Sequence, residues 1–94
     1  MRLSIEIAQS FVQTKKQMSR AQKALDKIMS GQSDKNVSFD EAAYVLTRAG
    51  FALDHIVGSH HVFRHSDGRR MVLPLHGKHI KPPYVRQIRE LLKS

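Results

Sequence analysis

The sequence predicts an α+β domain in which a helix, three antiparallel strands and a second helix follow one another, with an additional helical segment at the N-terminus. Three observations predict this order. Apolar residues recur at three- and four-residue spacing before residue 50 and again after residue 82. Between these regions they alternate with polar residues, and short Gly-, Ser- and Asp-containing segments separate the alternating stretches. A chain of 94 residues is long enough for one domain with a modest core.

The N-terminal segment reads as helix over residues 2–30. Its apolar residues form two stripes, interrupted by the polar stretch 13–17, so the segment is either one helix with a polar turn or two helices with a joint. Gly31 ends the helical pattern, and residues 31–37 are small and polar, as in a linker. We therefore expect an N-terminal extension over 1–37 and the main domain over 38–94.

The first helix of the main domain carries a recognisable start and stop. Ser38 and Glu41 have the spacing of a capping box, in which each side chain satisfies a backbone N–H of the first turn. A helix is expected over 39–49, with Gly50 as its left-handed C-terminal residue.

The strands are predicted from "FALDHIV", "HHVFRH" and "RRMVLPL", which Gly58-Ser59 and Ser66-Asp67-Gly68 separate. The pattern indicates a three-stranded meander. Pro82 and Pro83 then suit the first turn of the last helix, where a backbone N–H is not needed.

Alternation assigns the side chains of the second strand to two faces of the sheet. The helices can cover only one face, so the other is open to solvent. If Phe63 points to the core, His61 and His65 share its side, and His60 and Arg64 point outward.

The same alternation applies to the third strand, where Met71, Leu73 and Leu75 form the expected core set. A β-bulge at either turn would invert the assignment of one strand. Without a bulge, the open face carries His60, Arg64, Arg70 and His76.

The charge of the chain indicates a polyanionic partner. Sixteen Lys and Arg against eight Asp and Glu give a formal charge of +8, and such a surface attracts nucleic acid by releasing its counterions. A solubilising charge without a partner is the alternative. The absence of cysteine and of any membrane-length apolar run is typical of a protein of the cytoplasm that does not enter a membrane.

The predicted open face has the groups that RNA cleavage needs. Attack of a 2′-hydroxyl on its phosphodiester requires one group to take a proton, one to return it, and positive charge on the phosphate. His60 suits the first role and His76, or a water molecule, the second, while Arg64 and Arg70 suit the phosphate. Solvated surface histidines are the simpler interpretation of the same pattern.

A metal site built from the histidines of this region is not expected; the candidates would be His60, His61, His65, His76 and His79. Adjacent strand residues point to opposite faces, and the sequence contains neither an HExxH pattern nor a Cys/His ligand pattern. We expect no metal and no cofactor.

Several fragments together resemble the HicA toxins of bacterial type II toxin–antitoxin systems, also described as YcfA-like mRNA interferases. They are the helix ending in "AGF", the "GSHH" turn, the "DGRR" hairpin, "PLHG" and the final "VRQIRELL", in an order that extends over about residues 38–94. The resemblance implies a double-stranded-RNA-binding-domain-like α-β-β-β-α fold. It also implies a ribonuclease that cleaves mRNA until a HicB-type antitoxin covers it.

The resemblance also implies which residues act. The family's catalytic histidine lies in the turn segment and corresponds to His60, with His61 as the second choice, and Gly58 and Ser59 match the turn that presents it. The candidates for contacts to the RNA backbone beside Arg64 are Arg69, Arg70, Lys78 and Lys81.

The chain departs from the family pattern in two places. Residues 1–37 are additional to the region that resembles the family. They could form a packed helix, a dimer contact or an antitoxin contact, or could result from an upstream translation start. The oligomeric state is open as well. Pro83 stands where the family often has Gly. Two other functions are compatible with the sequence: a non-catalytic RNA-binding module of the same fold, and a partner-binding subunit whose N-terminal helix makes the interaction.

Overall fold

The computed structural model describes residues 21–93. The α-β-β-β-α order and the additional N-terminal helix confirm the predicted α+β fold, which is consistent with the double-stranded-RNA-binding-domain-like arrangement. The remainder of the predicted N-terminal helix, residues 1–20, lies outside the described residues.

The elements are α1 (21–30), a 3₁₀ turn (Asp34–Asn36), α2 (Phe39–Arg48), β1 (Phe51–Val57), β2 (His60–His65), β3 (Arg70–Pro74) and α3 (Pro82–Lys93). No helix within residues 21–93 is both long and apolar enough to cross a membrane.

The capping box predicted at the start of α2 is confirmed. Ser38 Oγ accepts a hydrogen bond from the Glu41 backbone N–H, and Glu41 Oε1 accepts one from the Ser38 N–H, both at 3.0 Å. Lys27 Nζ donates to both carboxylate oxygens of Glu41 at 3.1 Å, which joins α1 to the start of α2. Gly50 follows α2 with φ +97°, and a Cβ there would lie 2.8 Å from His65 Nε2. Both the conformation and the space therefore require glycine.

The three strands form one antiparallel sheet in the order β1-β2-β3. His60 lies opposite Val57 on one side and Pro74 on the other. The register shifts at a bulge between Leu53 and His55 in β1, so the alternation of β2 and β3 is not interrupted.

The core lies between the helices and one face of the sheet. Phe63, Met71 and Leu73 are buried there, as the alternation predicts. The prediction for Leu75 is wrong: β3 ends at Pro74, and the Leu75 side chain is 42% exposed. Once the strand has ended, the two-residue period no longer decides which way a side chain points. The core cluster comprises Ala24, Ile28, Val37, Ala42, Val45, Leu46, Phe51, Phe63, Met71, Leu73, Ile80, Val85 and Ile88.

Helix α1 is part of this core. Ala24 and Ile28 are buried in the same cluster as the residues of α2 and α3. Arg89 of α3 donates through Nε to the Ile28 carbonyl at 2.8 Å and forms an ion pair with Asp34. Among the roles open for the extension, its described part therefore has that of a packed helix. The boundary at residue 37 remains a sequence prediction.

The pair of Lys27 and Glu41 gives the stability a defined pH dependence. Partial burial raises the pKa of the Glu41 carboxyl, but the Ser38 backbone N–H and the Lys27 ammonium outweigh it and lower the pKa below the ordinary 4.5. The pKa of Glu41 is lower in the folded state than in the unfolded state. The ionised carboxylate therefore contributes its full stabilisation above the unfolded pKa, and this stabilisation is lost as the pH falls through the folded pKa.

We expect Glu41→Gln to lower the free energy of unfolding by about 0.5–1 kcal/mol at neutral pH. Glutamine keeps the capping hydrogen bond, so the variant removes only the charge. Urea denaturation should show the deficit disappear as the pH falls through the folded pKa of Glu41, because the wild-type carboxyl then becomes protonated. Asp40→Asn, an exposed carboxylate of the same turn, controls for the lost negative charge at the helix N-terminus. A deficit unchanged at low pH would contradict the assignment.

Candidate functional site at the turn between β1 and β2

The turn between β1 and β2 presents the first candidate residue. Gly58 has φ +61° and is the first residue of a two-residue hairpin loop, the position that requires glycine in a type II′ turn. Ser59 completes the loop. His60 is the first residue of β2, and its side chain is exposed.

Ser59 joins this turn to the segment that follows β3. Its carbonyl oxygen accepts hydrogen bonds from the Leu75 backbone N–H at 2.7 Å and from His61 Nδ1 at 3.2 Å. Its hydroxyl lies 3.2 Å from His76 Nε2, at hydrogen-bond distance. The turn therefore fixes both a neighbouring histidine and a distant one.

The segment 75–81 is also held from its other end. Phe39 N–H donates to the Lys78 carbonyl at 2.9 Å, and Ile80 N–H donates to the Val37 carbonyl at 3.0 Å. The Ile80 side chain is buried in the core. The loop is thus anchored by its backbone at both ends and by one apolar side chain, which fixes the backbone position of the residues between them, including His79.

These two segments enclose a shallow pocket of about 190 Å³ beside the start of β2 and the end of β3. It is smaller than the roughly 300–1,000 Å³ of typical small-molecule sites, so it suits a phosphate group or one planar ring. No carboxylate lines it, and its polar side chains are three imidazoles, one ammonium and one phenol. The lining residues are His60, Pro74, His76, His79, Ile80, Lys81 and Tyr84.

His60 and His61, the first and second choices for the catalytic histidine of the turn, lie on opposite faces of the sheet. His60 opens into the pocket. His61 is partly buried, and its ring meets that of Phe39 edge to face at 4.9 Å between centroids. His65 packs in the same manner on Phe51, at 5.1 Å. The structure thus brings together His60 and His76, and places His61 on the helix-covered face.

Arg64 and Arg70 face each other at the far end of β2 and β3. Arg64 is four residues from His60, about 13 Å along an extended strand, so a single phosphate cannot contact both. Arg64 Nε also donates to Asp54 Oδ2 at 3.2 Å. The hydrogen bond from His55, together with that from Arg64, lowers the pKa of Asp54.

The remaining predicted RNA contacts differ in their surroundings. Arg69 is engaged within the protein: Nη1 donates to the Leu91 carbonyl at 2.6 Å, Nε donates to Asp67 at 2.8 Å, and the guanidinium lies 5.2 Å from the centroid of the Phe51 ring. These contacts are those of a residue that ties the β2–β3 hairpin to α3. Lys81 lines the pocket, whereas Lys78 is exposed outside it.

No motif in the sequence indicates that His79 or Tyr84 belongs to the site. His79 was considered only as a metal ligand, and Tyr84 has no motif of its own. Their place in the pocket depends on the long-range backbone contacts of the loop, which no local pattern indicates. Within residues 21–93, no group of three or more His, Asp and Glu side chains is arranged to hold a metal ion.

The fold and the site define a small basic α+β domain with a histidine-lined pocket beside the start of β2 and the end of β3. A family model described as "HicA toxin of bacterial toxin-antitoxin" matches residues 39–94, more than half of the chain. The chain belongs to the HicA toxin family, which confirms the resemblance and makes an antitoxin its expected partner. Neither the curated proteins nor the solved structures contain a significant match.

The opposite faces of His60 and His61 predict different effects on stability. We expect His61→Ala to cost about 1–2 kcal/mol, because it removes a hydrogen bond to Ser59 and an aromatic contact with Phe39. His60→Ala removes an exposed side chain and should change stability by less than about 0.5 kcal/mol. Urea denaturation of both variants measures the difference. Equal losses would contradict the assignment of His61 to a packed position.

Proposed function

We propose that this HicA-family toxin is a ribonuclease whose active site is the pocket around His60. One observation carries the proposal: His60, His76, His79 and Lys81 line a single solvent-open pocket that contains no carboxylate. Histidine exchanges protons near neutral pH, and a lysine ammonium attracts phosphate. This combination fits an anionic phosphodiester better than a cationic or neutral substrate.

The proposed reaction is internal attack on the RNA backbone. A base removes the proton of a 2′-hydroxyl, and the oxygen bonds to the adjacent phosphorus. The bond from phosphorus to the 5′-oxygen breaks, and an acid donates a proton to that leaving oxygen. The products are a 2′,3′-cyclic phosphate and a 5′-hydroxyl. One proton is taken and one returned, so two histidines complete the reaction and no metal is required.

We assign the base to His60 and the acid to His76. In protonated His76, Nε2–H donates to Ser59 Oγ, which leaves Nδ1–H for the leaving oxygen. Ser59 then acts as a positioning residue. Lys81 stabilises the negative charge that develops on the phosphate oxygens.

The other basic residues extend this proposal along the sheet. Arg64 and Arg70 share the outer face of the sheet with His60 but lie at the opposite end of the β2–β3 pair. They would therefore bind a different phosphate, further along the RNA. Lys78 would contact the backbone beside the pocket. The +8 charge supports both RNA and an acidic HicB-type antitoxin as partners in the cytoplasm.

The test is cleavage of labelled single-stranded RNA by the isolated protein in EDTA. His60→Ala should reduce the rate by about a hundredfold to ten-thousandfold while RNA affinity is retained, because the group transfers a proton and adds little to binding. His55→Ala is the matched control, an exposed histidine of the adjacent strand outside the pocket, and should cleave at the wild-type rate.

Wild-type protein that binds RNA without cleaving it would overturn the enzyme proposal in favour of the non-catalytic RNA-binding module. Cleavage that requires an added divalent ion would overturn the proposed two-histidine chemistry. Undiminished cleavage by His60→Ala would remove His60 from the reaction.

A further inference from the structure

We propose that Tyr84 forms a stacking wall for one unpaired nucleobase next to the scissile phosphate, so that the pocket takes single-stranded RNA. The inference rests on the proposed function, because it assigns a base-binding role to one wall of the same pocket. Tyr84 had no role in the proton transfers or phosphate contacts described above.

The Tyr84 side chain has the support that a stacking wall requires. It is partly buried and packs against the core cluster while also lining the pocket. It lies in the first turn of α3, and its backbone N–H donates to the Lys81 carbonyl at 3.0 Å. Pro82 and Pro83 immediately precede it, and their rings restrict φ at the helix start. The ring is therefore attached to a rigid part of the backbone.

The rest of the pocket suits a flat, apolar group with polar edges. Pro74 and Ile80 are buried and give apolar surface, while His79 is exposed and carries ring nitrogens that the proposed proton transfers do not use. Nucleobases combine apolar faces with hydrogen-bonding edges, and proteins commonly bind them by stacking on aromatic rings. The pocket thus has both kinds of surface that a single base would contact.

The size of the pocket favours an unpaired base. Its volume of about 190 Å³ corresponds to roughly six water molecules at about 30 Å³ each, enough for one ring system and too little for a base pair. A base in a duplex must leave its stack to enter such a site. Stacking also uses the face that every base possesses, so Tyr84 would increase affinity with little sequence preference.

The experiment separates base contacts from phosphate contacts. Wild-type protein, Tyr84→Leu and Tyr84→Phe are titrated with an eight-nucleotide single-stranded RNA and with an eight-residue abasic ribose-phosphate chain of equal charge. We expect the wild type to prefer the intact RNA, and Tyr84→Leu to reduce that preference by about tenfold. Tyr84→Phe should keep it, and affinity for the abasic chain should be the same in all three proteins.

Tyr44→Leu is the matched control, because Tyr44 is an exposed tyrosine on α2 that does not line the pocket. Comparing the two ligands on one protein sample removes any effect of a reduced folded fraction. An intact-to-abasic ratio that Tyr84→Leu leaves unchanged overturns the inference even if the protein cleaves RNA. A reduced ratio supports it even if no cleavage occurs, in which case the ribonuclease proposal alone fails. Absence of any preference for bases in the wild type overturns it as well.

Discussion

The site depends on one constraint: the helices cover only one face of a three-stranded sheet. Phe63 must be buried, and a strand turns successive side chains to opposite sides. Burial of Phe63 therefore directs His61 and His65 into ring contacts with Phe39 and Phe51, and it directs His60 to solvent. Residues of the same type within six positions thus have different environments. Those on the covered face contribute to packing, and the exposed one is available for chemistry.

A second condition is that two distant segments meet at the end of β2. The Ser59 carbonyl binds the backbone of residue 75, and the start of α2 binds the backbone of residues 78 and 80. These bonds consist of main-chain groups, so they fix the loop without using the side chains that line the pocket. The walls of the described site are therefore held by the backbone of the chain itself. Such preorganisation is the condition under which fixed charges and donors act on a developing negative charge without reorganising first.

The sequence was sufficient for features that are determined locally. The capping box at Ser38, the positive φ of Gly50 and the prolines at the start of α3 follow from the chemistry of single residues and their near neighbours. The alternation of side chains along β2 was sufficient to predict which face of the sheet carries His60. The distance of Arg64 from His60 follows in the same way from their spacing of four residues along the strand. Leu75, His79 and Tyr84 depend on where β3 ends and on hydrogen bonds to α2, which are set by tertiary contacts.

The bond from Arg89 to the Ile28 carbonyl joins residues 61 positions apart, and the pocket shares its final wall with the same helix, α3. During synthesis a chain emerges from its N-terminus, and contacts of large sequence separation form only after their later partner is available. Helix α1 therefore cannot complete its packing, and the pocket cannot close around Tyr84, until α3 has left the ribosome. For a toxin, this order determines when its site is first complete. The proposed site is incomplete in the nascent chain until α3 has emerged, so the period in which an antitoxin must act begins with the appearance of α3.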